Sequence, residues 1–160
     1  MTTCLLSCQQ NSSGILEYQN LDFDTNKIVI FGWDTTKYRF PTNSEPLPLT
    51  HDDLLVTDSL IKDGIDSFNT NISPKMVDAF DRKFSVDNFV IKEEKYKYQY
   101  YPYKDVNGQR IMTIIGFSTD FQSWKEKMYQ PGLHYGIRMF ELKINLSEKI
   151  RDNLISGDFG

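Results

Sequence analysis

Apolar and polar positions along this chain change period repeatedly, and each change predicts a different element. KIVIFGW, Lys27 to Trp33, is a β-branched and aromatic run bounded by Asp24-Thr25-Asn26 and Asp34-Thr35-Thr36, the pattern of a strand. Residues 41–50, PTNSEPLPLT, carry three prolines, which denies them a helix or a central strand and predicts an extended connection across the surface. From Thr50 the period becomes helical. Thr50 and Asp53 have capping-box spacing, and Leu54, Leu55, Ile61, Ile65 and Phe68 recur on one face, predicting a main helix over residues 51–68. Gly64 inside it costs about 1 kcal/mol against Ala or marks a close packing contact. A second, shorter helix is predicted from Pro74, with Ser73 as its cap and Met76, Val77, Phe80 and Phe84 on one face.

From Phe89 onward the period is two. KYKYQYY, residues 95–101, sets Tyr96, Tyr98 and Tyr100 on a packed face and Lys95, Lys97 and Gln99 on a wet one, and Pro102 then implies an edge, a bulge or the strand's end. Asn107-Gly108 predicts a hairpin into IMTIIGFS, whose two faces are both apolar, so that strand should be central and covered on both sides. DFQSWKEK reads as a helical turn or a loop. GIRMFELKINL is another strand, with Arg138, Phe140, Leu142, Ile144 and Leu146 on one side, and IRDNLIS closes the chain as an edge strand. The expected fold is α+β: an antiparallel sheet of four to five strands packed on one main helix in a cystatin-like arrangement.

Composition narrows the function classes. With 160 residues, 39% of them hydrophobic, one domain is expected. The net charge of -4, with Lys and Arg scattered, supplies no field for phosphates and excludes nucleic acid as an expected partner. No segment approaches the roughly 20 apolar residues that span a bilayer. Cys4 and Cys8 both lie in the opening stretch, so no disulfide is expected in the body. His51 and His134 have no partner at ligand spacing, and Asp52-Asp53 are explained by capping and the helix dipole. No G-x-S-x-G, P-loop or G-x-G-x-x-G is present, so no catalytic residue, metal or cofactor is expected. Tyr96, Tyr98 and Tyr100 alternate as core residues do. Tyr101, Tyr103 and Trp124 sit where strands give way to loops and form a candidate binding face.

Leu5-Leu6-Ser7-Cys8 resembles the lipobox of bacterial lipoproteins, in which small residues expose the cleavage site and the cysteine thiol takes the lipid. Gln9-Gln10-Asn11-Ser12-Ser13-Gly14 then reads as a polar tether. The expected organisation is a signal-peptide remnant over 1–7, a flexible tether over 8–22 and a single α+β domain over 23–160, with Cys8 as the lipid attachment. Seven residues cannot hold a basic and an apolar signal region, so a full-length form is expected to begin upstream.

LTHDDLLVTDSLI, KYKYQYYPYKDVNGQRIMTIIGF, SWKEK and FELKINLSEKIRDNLISGDFG together resemble a group of small Bacteroidetes lipoproteins, over about residues 49–160. That group often carries cysteines where this chain has Gly116-Phe117-Ser118, and an Asp-Gly-Gly turn where it has Gln130 to His134. The resemblance implies a location and no reaction. The expected function is a non-enzymatic cell-envelope domain, held to a membrane through Cys8 and facing the periplasm, that binds a protein or envelope component. Two alternatives stand beside it: a small periplasmic enzyme with a cavity between helix and sheet, and an immunity or inhibitor protein with an exposed aromatic patch.

Overall fold

The computed structural model describes residues 18, 21–35, 38–79, 84–118, 123–129 and 136–157. Cys8, the expected leader over 1–7 and His134 lie outside the described residues.

Three strands of seven or eight residues form the frame. β3 (Lys97–Lys104), β4 (Arg110–Phe117) and β5 (Met139–Asn145) run antiparallel, with Tyr100 opposite Ile114 and Ile114 opposite Leu142. β3 and β4 meet at the expected hairpin: Asp105 Oδ1 accepts from the N–H groups of Asn107 and Gln109, and Gly108 supplies the left-handed residue at φ 76°. β1 (Ile28–Ile30) lies on the other side of β3 and parallel to it, and β2 (Glu45–Pro46) pairs with the end of the same edge. β6 (Ile150–Arg151) and β7 (Ile155–Ser156) pair with β5, as expected of an edge.

The α+β class is as expected, but the sheet is mixed, not antiparallel throughout. Hairpin signals imply antiparallel neighbours, whereas the chain from β1 to β3 passes through the helices, and such a crossover allows parallel pairing. Pro102 does not end β3. Asp105 N–H donates to Gln109 O and Tyr98 N–H to Lys27 O, so alternate residues of β3 bond to opposite neighbours. Pro102, in phase with Tyr98, turns its nitrogen away from β4. On that side β1 has ended opposite Tyr100 and β2 begins opposite Tyr103, so no ladder bond is lost.

α1 (His51–Asn71) starts at the predicted cap. Thr50 and Asp53 form the capping box, and Asp53 also accepts from Arg110 Nη2 at 2.5 Å, tying the helix start to the start of β4. Leu54, Thr57, Ile61, Ile65 and Phe68 face the sheet, while Leu55 is 57% exposed because it lies one step beyond that stripe. Gly64 marks a close contact: a Cβ there would stand 3.2 Å from Leu142 Cδ2. In α2 (Ser73–Ala79), Ser73 is inside the helix and its hydroxyl donates to Phe89 O at 2.9 Å, so it serves a tertiary bond and not the expected cap.

Residues 41–50 are more than a surface connection, since Leu47 is 1% exposed and its carbonyl accepts from Tyr18 Oη at 2.8 Å. Tyr18 and Leu21, inside the stretch assigned to the tether, dock on the domain, so packed structure reaches back to Tyr18. One core lies between α1 and the sheet, on Tyr98, Tyr100, Met112, Ile114, Phe140, Leu142 and Ile144. A second lies on the opposite sheet face, where Phe31, Tyr38, Phe40, Trp124, Met128 and Tyr129 cover Tyr101, Ile115, Phe117 and Met139.

Gly116 leaves no room for a side chain in the first core, because a Cβ would fall 2.3 Å from Phe140 Cζ. Gly116→Ala is expected to destabilise by about 1–3 kcal/mol through overpacking. Urea denaturation of the double variant with Phe140→Leu should show less loss than the sum of the two single variants.

Candidate functional site

Side chains alternate across the sheet, so the face away from α1 carries Gln99, Tyr101 and Tyr103 from β3, Ile111, Thr113, Ile115 and Phe117 from β4, and Met139, Glu141 and Lys143 from β5. Two of the three residues of the candidate binding face are buried here. Tyr101 is 1% exposed and stacks on Phe31 with ring centroids 5.1 Å apart; Tyr103 is 4% exposed and meets Phe40 edge-on. Trp124 is half-buried, edge-on to Phe117, and Lys97 and Lys125 place their ammonium groups 5.5 and 5.3 Å from its ring. The three rings do not form an open aromatic patch.

Gln99, expected to be wet, organises this face. It is 0% exposed and fully bonded: Nε2 donates to the carbonyls of Trp124 at 2.5 Å and Lys127 at 2.7 Å, and Oε1 accepts from Tyr129 N–H at 2.9 Å and from Tyr101 Oη. One side chain thereby fixes the loop over 123–129 to the sheet. In the sequence its polarity matched the lysines beside it, so alternation alone concealed it.

Beyond that loop the covering stops, leaving a cleft of about 410 Å³. Tyr101, Tyr103, Thr113 and Ile115 make its floor, Phe40 with Pro41 and Met128 with Tyr129 its walls, and Arg39, Glu141 and Lys143 its charged margin. Such a volume is in the range of small-ligand sites, and the floor is rigid because it consists of ladder residues. Burial pushes the Glu141 carboxyl above the ordinary carboxylate range, opposed by Lys143 two residues along the same strand face.

A second cavity, of about 360 Å³, opens between α1 and β3. Asp58 and Ile61 of α1, Asp24, Lys27 and Ile28 at the entry to β1, and Glu93 and Glu94 of a 3-10 turn surround Tyr98 and Tyr100. Burial raises both phenols, and both also feel the charges of Glu93 and Asp58. Tyr96 Oη donates to Ile137 O, whereas Tyr98 Oη is buried and meets no partner among the described residues.

Searches against protein-family models, curated proteins and solved structures match none of them to this chain.

Two outcomes follow from the second face. Gln99→Leu leaves backbone groups of the 123–129 loop unpaired and should lower stability to urea by about 1–3 kcal/mol. For Glu141 a folded-state pKa above the unfolded one means that ionisation disfavours the fold. Glu141→Gln is therefore expected to raise Tm at neutral pH, with the gain vanishing as pH falls below the ordinary carboxylate range; thermal melts across pH check the trend.

Proposed function

We propose that the chain is the folded part of a non-enzymatic cell-envelope lipoprotein, anchored through Cys8 in its full-length form and facing the periplasm, that binds a protein or envelope component in the second-face cleft. The observation that carries the reading is the construction of the cleft. Its floor is a rigid tyrosine-bearing ladder, its Met128–Tyr129 wall is pinned by Gln99, and its margin presents Arg39, Glu141 and Lys143. Rigid apolar area with a few fixed charges favours recognition, since little conformational entropy is lost on binding. Glu141 and Lys143 face the same side of β5 with opposite charge, which suits a ligand carrying both signs beside an apolar group.

The anchor rests on Leu5-Leu6-Ser7-Cys8 and the polar run after it. Among the described residues no helix is long and apolar enough to cross a membrane, which is compatible with attachment by lipid. A second reading, a small periplasmic enzyme, draws on the cavity between α1 and β3, where Asp58 and Glu93 stand beside two buried tyrosines.

Two measurements test the first reading. A palmitate analogue fed to cells making the full-length product should label it, and Cys8→Ala should abolish the label. Thr113→Trp, which fills the cleft from a partly exposed position, should cut co-sedimentation of the purified domain with envelope fractions about tenfold while leaving the urea midpoint unchanged. A domain that stays in the supernatant, or a product labelled equally without Cys8, overturns it.

A further inference from the structure

Arg39, Glu141 and Lys143 give the margin of the second-face cleft two cations against one carboxylate. Glu141 and Lys143 stand two residues apart on one face of β5, and the ammonium acts on the carboxylate. Arg39 is exposed, and its guanidinium has no ion-pair or hydrogen-bond partner among the described residues. The charge left over at the mouth of this apolar cleft is therefore a planar cation with paired N–H donors. Such a group matches a carboxylate in two parallel bonds.

Glu141 gives a second, independent observation. Its side chain is partly buried, and burial pushes its carboxyl upward, yet among the described residues no donor bonds to it. A carboxylate taken out of water is costly unless hydrogen bonds replace the lost hydration, so an N–H donor entering the cleft stabilises it. At about 410 Å³ the cleft lies toward the lower end of the roughly 300–1,000 Å³ of small-ligand sites, which suits the end of a chain and not a segment running through. Its complement is a short group that carries an anion, an N–H and an apolar side.

We propose that the cleft binds the C-terminal residue of a polypeptide, with the terminal carboxylate on Arg39, the last amide N–H on Glu141 and an apolar side chain on the floor at Tyr101 and Ile115. The assignment rests on the reading of this cleft as a binding site and names the partner's chemistry. A peptide end answers both signs of the margin, with its carboxylate and with the positive end of its N–H dipole, and its net negative charge matches the excess cation. A fatty-acid anion satisfies Arg39 and the floor but brings no donor to Glu141, and a free amino acid cancels its own charge. The Tyr129 wall is fixed before binding, because Gln99 Oε1 accepts from Tyr129 N–H at 2.9 Å, so little order is lost there when the side chain enters.

Calorimetric titration of the 160-residue chain with N-acetylated tripeptides ending in leucine or phenylalanine, each as the free acid and as the C-terminal amide, tests the assignment. Saturable binding of at least one acid is expected, with its amide about tenfold weaker. Arg39→Gln should weaken the acid about tenfold and leave the amide unchanged, whereas Glu141→Gln should weaken both about fivefold. Arg39 is exposed, so the urea midpoint of its variant should match that of the parent chain. Equal binding of acid and amide overturns the proposal, as does acid binding indifferent to Arg39→Gln, or no saturable binding of either acid up to roughly 10 mM. Tighter binding of decanoate or of free leucine than of the peptide acids also overturns it, since the partner is then not a polypeptide end. A chain that co-sediments with envelope fractions but binds no peptide acid removes this assignment alone; one that binds the acid yet stays in the supernatant removes the envelope reading and keeps this one.

Discussion

β4 is apolar on both of its faces, and the remaining elements are arranged around that constraint. Met112 and Ile114 are 0% exposed on one side, and Ile115 and Phe117 are 3% and 0% exposed on the other. Such a strand needs ladder partners on both edges and a cover above and below. β3 and β5 supply the partners. α1 supplies one cover, and the aromatic segment from Phe31 to Phe40 with the 123–129 loop supplies the other. Each cover is fixed by one buried polar side chain, Asp53 on Arg110 for the helix and Gln99 on three backbone groups for the loop. Apolar burial drives the assembly, and these bonds set its register.

What could be read in the sequence was what local spacing encodes. The Thr50 cap, the face from Leu54 to Phe68, the Asn107-Gly108 hairpin and the two-sided β4 are signals confined to a few residues, and the structure contains all of them. The parallel β1 was hidden because its partner lies beyond both helices, and no local pattern records which strand returns beside which. Leu47 was hidden because prolines forbid a ladder without forbidding burial. Pro102 predicts a strand end and so puts Tyr101 and Tyr103 at the rim, yet the rings that cover them, Phe31 and Phe40, come from far upstream. Two members of the candidate face, Tyr101 and Tyr103, therefore belong to the floor of a cleft, and Trp124 does not line it.

Both cavities arise where a cover ends. On the second face, the loop held by Gln99 covers the rows nearest Phe117, Phe31 covers Tyr101 and Phe40 covers Tyr103, and Thr113 and Lys143 in the row through Tyr101 are left between them. On the first face, Gly64 lets α1 settle against Leu142 of β5 and Arg151 of β6. The helix is thereby drawn toward that edge of the sheet, and Tyr98 and Tyr100 on β3 stand under its opposite flank beside Asp58.

Adjacent residues of β3 show how differently the two faces are finished. Gln99 points to one side with every donor and acceptor paired, and a network completed in this way rigidifies the wall it holds. Tyr98 points to the other side with its hydroxyl unpaired among the described residues, and burial, with the charge of Glu93 after it, raises its pKa. A phenylalanine at position 98 would keep the aromatic packing against Tyr100 and Phe140 without that cost. Hydrophobic burial accounts for the ring of Tyr98 but not for its oxygen.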